Sequence, residues 1–272
     1  MPPIKVYLQV ALIALAGLWI AGFLVLRLGR SLRNRKAEAM LGYALALLAF
    51  AALGWGLAAA FIPCFPGFGS ALCQGPSREK WIALTFDDGP NEPFTSQILD
   101  ILEAKQVPAA FFTLGNSISR NPEVVARMRR SGFTVGNHTQ DHRPLWNLSS
   151  AEIASEIESW ERAMAPFGIP SPKLFRSPHG WKSPFLSKIL EDKGYRLIGW
   201  TRGVWDTDNP GEEVLLSRIT ARPTPGMILL LHDGINGVPG ADRSQLVRVL
   251  PRIIDDYRAQ GFRFVSLGEM LP

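Results

Sequence analysis

The sequence predicts an α/β domain on a parallel sheet that curls into a closed or nearly closed barrel, behind an N-terminal pair of membrane spans. Three observations carry this reading. Two long uncharged runs open the chain; from Lys80 onward short apolar runs alternate with longer helical patterns; and no interval between those runs is as short as a hairpin loop.

Val6 to Leu26 is a run of 21 residues without charge, and Ala39 to Ile62 a second of 24. At ~1.5 Å per helical residue each is long enough for a hydrocarbon core of ~30 Å. Between them lie Arg27, Arg30, Arg33, Arg35 and Lys36 against the single acid Glu38. The Lys and Arg bias of cytoplasmic loops holds this connector inside and both termini outside, with only Lys5 opposing. A cleavable signal peptide fits the first run less well, because the positive charge follows the apolar stretch instead of preceding it. The expectation is a retained hairpin anchor over residues 1–66, multi-pass in the cytoplasmic membrane, with the remaining domain on the extracytoplasmic side.

Charge separates the same two parts. Residues 1–80 carry eight Lys or Arg against two acids, a balance of +6, and the remainder, with 21 bases and 22 acids, carries −1. The basic character of the whole chain thus belongs to the anchor, and a nucleic-acid partner is not expected. Residues 67–79 read as a Pro- and Gly-rich linker. Cys64 and Cys73 flank its start, either as a small disulfide loop on an oxidising side or as two free thiols; their spacing is not that of a redox or zinc pair.

Residues 80–272 form the third part. Strands are expected over Trp81–Phe86, Ala109–Leu114, Phe133–Gly136, Lys173–Arg176, Arg196–Trp200, Met227–Leu231 and Phe262–Val265. Helices are expected near Phe94–Ala104, Pro122–Arg130, Ser150–Pro166, Pro184–Glu191, Glu212–Arg222 and Ser244–Gln260. Ser149 followed by Glu152 marks an N-cap, and Ile153, Ile157 and Trp160 share a face. In such barrels chemistry gathers at the C-terminal ends of the strands.

The candidate functional residues fall at those ends. Asp87 and Asp88 close the first strand, and adjacent carboxylates at a strand mouth are costly to desolvate unless a cation holds them; an exposed Asp-Asp-Gly-Pro turn is the plainer alternative. The four histidines, His138, His142, His179 and His232, all lie at or just after strand ends. His138 and His142, four apart, are expected on one side of a helical turn, facing one metal. Thr139 stands where a helical metalloprotease needs Glu, which excludes that motif. Two His and the carboxylate of Asp88 suit Zn²⁺, with Co²⁺ or Ni²⁺ as alternatives.

Thr85-Phe86-Asp87-Asp88-Gly89-Pro90, His138-Thr-Gln-Asp-His142, Arg176-Ser-Pro-His-Gly180 and Leu230-Leu-His232 follow one another in this order. Together they resemble the successive motifs of the polysaccharide deacetylases (carbohydrate esterase family 4, the NodB homology domain), over essentially all of residues 80–270. The resemblance implies a distorted (β/α)7 barrel, a divalent metal and hydrolysis of N-acetyl groups on amino sugars. It implies Asp88, His138 and His142 as metal ligands, Asp87 as general base and His232 as general acid. Arg176 would orient Asp87, and Asp206 would pair with His232, although Asp208 stands two residues on. The backbone at His179 would meet the oxyanion, and Leu230 would bound the acetyl pocket. Two departures bear on substrate. His179 stands where the family commonly has Tyr, and Trp205 precedes Asp206 where the family has a Trp after the acid; Trp205 is a candidate for the sugar groove.

The reading is a metal-dependent deacetylase acting outside the cytoplasmic membrane on a glycan, with peptidoglycan, an exported polysaccharide or a lipid-linked saccharide as candidates. Deformylation of a lipid-linked formamido sugar and a catalytically silent glycan-binding protein are the alternatives. A purine or imide amidohydrolase is disfavoured by the spans.

Overall fold

The computed structural model describes Phe23 and residues 36–271. The first expected span, Val6–Leu26, and most of the basic connector lie outside the described residues. The second corresponds to helix α1, Lys36–Phe61. Its segment Gly42–Phe61 is the one helix, among the described residues, long and apolar enough to cross a membrane. Leu45, Leu47, Leu48, Leu53 and Trp55 are exposed on different sides of it, so the apolar surface runs all round the helix, as in a membrane span. The chain divides between Ala59 and Ala60 into two compact units.

The second unit is an all-parallel sheet with helices packed against its outer face. Its strands are β1 Trp81–Asp87, β2 Ala109–Thr113, β3 Thr134–Asn137, β4 Lys173–Phe175, β5 Tyr195–Leu197, β6 Arg202–Gly203, β7 Met227–His232 and β8 Arg263–Phe264. The helices are α2 Phe94–Ala104, α3 Gly115–Arg120, α4 Pro122–Arg130, α5 Ser150–Met164, α6 Leu186–Asp192, α7 Glu212–Thr220 and α8 Ser244–Ala259. Strand order is β5-β4-β3-β2-β1-β7-β6, with β8 also pairing with β1. The expected seven strands are present. The eighth, β6, is two residues long and carries no apolar run by which to recognise it. Helix α3 was likewise not expected, since Gly115-Asn-Ser-Ile-Ser-Arg120 is short and mostly polar. The N-cap at Ser149 forms as a reciprocal capping box with Glu152.

The sheet is curled but not closed by strand pairing, because β5 and β6 lie at its two ends and do not pair with each other. The segment expected as a linker crosses this gap, from the residue after β5 to the start of β7, next to the end strand β6. Leu72 pairs with Ile198 and Gln74 with Met227, and the N–H of Gly199 donates to the Leu72 carbonyl at 2.9 Å. Cys64 and Cys73 are joined as a disulfide, with Cα atoms 6.0 Å apart, which closes the loop leading into this bridge. Lys182 sends its ammonium to the Phe65 carbonyl within that loop, and burial lowers its pKa.

Strand alternation divides the side chains. Ile82, Leu84 and Phe86 of β1, Phe111 of β2, Val135 of β3 and Leu229 and Leu231 of β7 join the large core shared with the helices. Ala83, Ala110, Phe112, Leu174, Ile198 and Ile228 face the other way, into a smaller core inside the curl. Continuing the same parity to the strand ends puts Asp87, His138, Arg176, Leu230 and His232 on the inner face, at one mouth.

Candidate active site

Register brings the first two groups together. Asp87 of β1 is the cross-strand partner of His232 of β7, and Thr85 is the partner of Leu230. Arg176, fully buried, reaches Asp87 Oδ1 at 2.7 Å and also donates to Thr85 Oγ1 at 2.8 Å and the Gly199 carbonyl at 2.9 Å. Its guanidinium lies 4.1 Å from the centre of the Phe112 ring. One Asp87 oxygen is therefore held by a permanent cation. Asp87 Oδ2 stands 3.7 Å from His138 Nε2.

Asp88 leaves the strand with φ at 77°, which turns its carboxylate away from Asp87 and toward the two imidazoles. Asp88 Oδ2 accepts the Asn236 N–H at 2.8 Å, while Oδ1 is buried without a hydrogen-bond partner. That orphaned oxygen lies 3.3 Å from His138 Nε2 and 3.1 Å from His142 Nε2. His138 Nδ1 is 2.8 Å from the Arg176 carbonyl. A carbonyl only accepts, so Nδ1 carries the proton and the Nε2 lone pair points at Asp88.

These three residues fit a divalent cation. Ligands about 2.0–2.1 Å from a tetrahedral Zn²⁺ stand roughly 3.4 Å apart, close to the separations found. The ligand-capable atoms of Asp88, His138 and His142 all lie within 4.8 Å of one another, and two nitrogens with one carboxylate suit Zn²⁺ or a neighbouring first-row ion.

The segment between the histidines is not the helical turn expected from their spacing. It is a pinned loop in which Thr139 and His142 have φ of 74° and 58°. The Thr139 N–H donates to Asn137 Oδ1 and the His142 N–H to Thr139 Oγ1. Glu156 of α5, buried, accepts the N–H groups of Gln140 and Asp141, both at 3.0 Å. Positive φ at a non-glycine residue costs about 1–3 kcal/mol and persists only under such bonding. Glu156 is missed by sequence reading; an acid on the buried side of an otherwise apolar helix face is the one signal of it.

On the other side of the mouth, His232 Nδ1 lies 2.9 Å from Asp206 Oδ1, and the His232 N–H donates to Asp206 Oδ2 at 2.9 Å. Asp206, and not Asp208, is thus the partner. Arg243, wholly buried, binds the same carboxylate and donates from Nε to the His232 carbonyl at 3.0 Å. Burial would lower the imidazole, but the Asp206 carboxylate overrides it and His232 rises to about 9. Burial likewise opposes ionisation of Asp206, and His232 with Arg243 holds its pKa down. Arg243 lies in an irregular stretch before α8 with no motif around it, so no sequence signal singles it out.

The remaining expected residues surround these groups. His179 has φ at 57°, in a tight turn closed by the Gly180 N–H on the Ser177 carbonyl at 2.8 Å. Its ring lies 4.6 Å from that of His142, and burial with the other imidazoles lowers it to about 4. Leu230 is buried and Trp205 is exposed beside Asp206. Gly89 has no room for a side chain, since a Cβ there would sit 1.8 Å from Asp233 Oδ2.

Comparison with known proteins follows the same residues. The sequence profile of the polysaccharide deacetylases, described as "Polysaccharide deacetylase", matches residues 74–198. A peptidoglycan-N-acetylglucosamine deacetylase of Bacillus cereus is 35% identical over 208 residues, covering 75% of this chain and 93% of that protein. A chitooligosaccharide deacetylase of Bradyrhizobium is 34% identical over 206 residues, covering 71% and 92%. The crystal structure of the peptidoglycan N-acetylglucosamine deacetylase Bc1960 superposes with a TM-score of 0.69 at 29% identity, over 73% of this chain and 91% of that one. With its motifs assembled at one mouth of a curled parallel sheet, and with relatives this similar over nearly their whole length, the chain belongs to the polysaccharide deacetylase family.

Proposed function

We propose that this protein removes N-acetyl groups from amino sugars of a glycan, with a divalent cation, most simply Zn²⁺, held by Asp88, His138 and His142. The observation that carries the reading is the pairing of Asp87 with His232 across β1 and β7, a clamped carboxylate and a cationic imidazole on either side of one ligand set. The names of the relatives, peptidoglycan and chitooligosaccharide deacetylases, support the substrate class.

The cation would polarise the acetamide carbonyl and make the attacking water more acidic. Asp87, oriented by Arg176, takes the proton from that water. The backbone of the His179 turn faces the developing oxyanion. His232, kept cationic by Asp206 and Arg243, gives its proton to the departing sugar amine. Leu230 bounds the space for the acetyl methyl group.

A hairpin anchor with Val6–Leu26 as its first span, and a catalytic unit on the extracytoplasmic side, complete this reading. A lipid-linked saccharide is the second reading of the substrate. It is favoured by the long apolar helix Lys36–Phe61 in the same chain.

The test is acetate release from N-acetylated glycans by protein stripped of metal and reloaded with zinc or cobalt, beside Asp87→Asn. Activity should return with metal, and the substitution should lower it by about 10²–10⁴-fold. Reloaded protein that releases no acetate from any glycan, lipid-linked ones included, would refute the reading.

A further inference from the structure

Cys64 and Cys73 take no part in the reaction, yet their disulfide lies against the group that aims its base. Arg176 clamps Asp87 with one terminal nitrogen and sends the other to the Gly199 carbonyl at 2.9 Å. Its Nε is buried without a hydrogen-bond partner, so the guanidinium is aimed by Asp87, Thr85 and Gly199 together. Gly199 sits just past β5, the end strand of the sheet, where the described residues offer no further strand to hold it.

What holds it is the cross-linked segment. The Leu72 N–H donates to the Leu197 carbonyl, and the Leu72 carbonyl accepts the Gly199 N–H, both at 2.9 Å. The Cys73 carbonyl accepts from Thr201 Oγ1 at 2.5 Å. The disulfide itself packs on Gly199, where a Cβ would stand 2.4 Å from Cys73 Sγ and 3.4 Å from Cys64 Sγ. The other half of the loop is tied to the segment after β4, which also carries Arg176: the buried Lys182 ammonium donates to the Phe65 and Gly69 carbonyls. The pairing of Leu72 with Ile198 is an isolated bridge that no ladder continues. Its register therefore depends on the bond that closes the loop, across a sequence separation of 9, because a loop released from its closing bond regains conformational freedom. Cys64 is exposed, so that bond is open to reductants.

Resting on the deacetylase reading, we propose that the Cys64–Cys73 disulfide positions the general base, by holding Gly199 where its carbonyl aims Arg176 at Asp87, and that full turnover requires the oxidised form. Reduction by a dithiol breaks the S–S bond, leaves two protein thiols and forms one S–S bond in the reductant. The segment around Leu72 is then free to leave Gly199. Such a bond persists on the oxidising side of a membrane and is reduced in a cytoplasm, so the same chain turns over slowly until it is exported.

The test compares the zinc-loaded full chain in detergent in three forms: oxidised, reduced, and the double variant Cys64→Ala, Cys73→Ala. The reductant is a phosphine, which becomes its oxide with oxygen from water and brings no thiol to compete for zinc. On reduction, kcat for acetate release from chitooligosaccharides should fall about 10–10²-fold, with KM and zinc stoichiometry unchanged, and reoxidation should restore it. The double variant should show the low kcat and no response to the phosphine. The Gly199 N–H, followed by hydrogen exchange in the same samples, should lose its protection on reduction. Native kcat in the reduced protein would overturn the proposal, whatever the exchange. Loss of zinc together with activity would also overturn it, by assigning the cross-link to general stability. If the oxidised protein releases no acetate from any glycan, the deacetylase reading falls and the exchange decides alone: protection lost on reduction keeps the hold on Gly199, and protection retained removes it.

Discussion

Two buried clusters flank the ligand set, each made of an arginine and an aspartate, and they differ in the third partner. Arg176 shares its guanidinium among Asp87, Thr85 and the Gly199 carbonyl, so Asp87 keeps a free oxygen turned toward His138. Arg243 instead binds Asp206, whose two oxygens are both committed to His232. The same ion pair thus yields a carboxylate able to accept a proton on one side, and on the other an imidazole obliged to carry one. In the reaction we propose, what distinguishes base from acid is which partner the carboxylate has left over.

The largest effects should come from removing either arginine. Arg176→Met and Arg243→Met each leave a buried carboxylate without its cation, and each should cost about 3–5 kcal/mol. Urea unfolding would measure it, and a loss below 1 kcal/mol in one variant would show that its carboxylate is satisfied otherwise. The pairs would then not be equivalent.

A smaller and more specific effect is expected at Asp206→Asn, on the acid side alone. His232, raised to about 9, should set an alkaline limb of activity near that pH in the native protein. Without the carboxylate the limb should move toward the ordinary imidazole value of ~6.5, with activity at neutral pH down at least tenfold. Stability follows the same sign. A raised imidazole pKa contributes stability that is fully present below ~6.5 and lost as pH rises through about 9. The native protein should therefore lose stability over that window and Asp206→Asn should not. An unmoved limb would remove His232 as the acid.

The smallest effect tests the loop between the clusters. Glu156→Gln keeps the size of the side chain but weakens the bonds to the Gln140 and Asp141 N–H groups. Metal affinity, measured by chelator competition, should fall about 10–100-fold, and the loss in Glu156→Ala should be larger. Native affinity in both variants would mean that Thr139 and Asn137 hold the loop unaided.

Much of this could be read from the chain because strand parity and motif position are local properties. Asp87, Asp88, His138, Arg176 and His232 fall at strand ends, and period-two alternation sends Leu230 and His232 to one face of their strand before any tertiary contact is known. The histidine spacing predicts a helical turn, and the structure has a loop there because its geometry depends on Glu156, a partner on another element. Asp206 could not be separated from Asp208 by sequence, since the choice rests on Arg243 and on the reach of β7.

By itself, then, the sequence determined the parallel alternation, the long apolar run Ala39–Ile62 and the grouping of Asp88, His138 and His142 at strand ends, since each follows from residues near one another in the chain. Tertiary structure decided the open seam crossed by Leu72 and Gln74, the Arg243 clamp and the pinned loop between His138 and His142. All of these join residues from separate segments, whose meeting depends on how the sheet curls and how the chain between Ala60 and Gln74 packs against it.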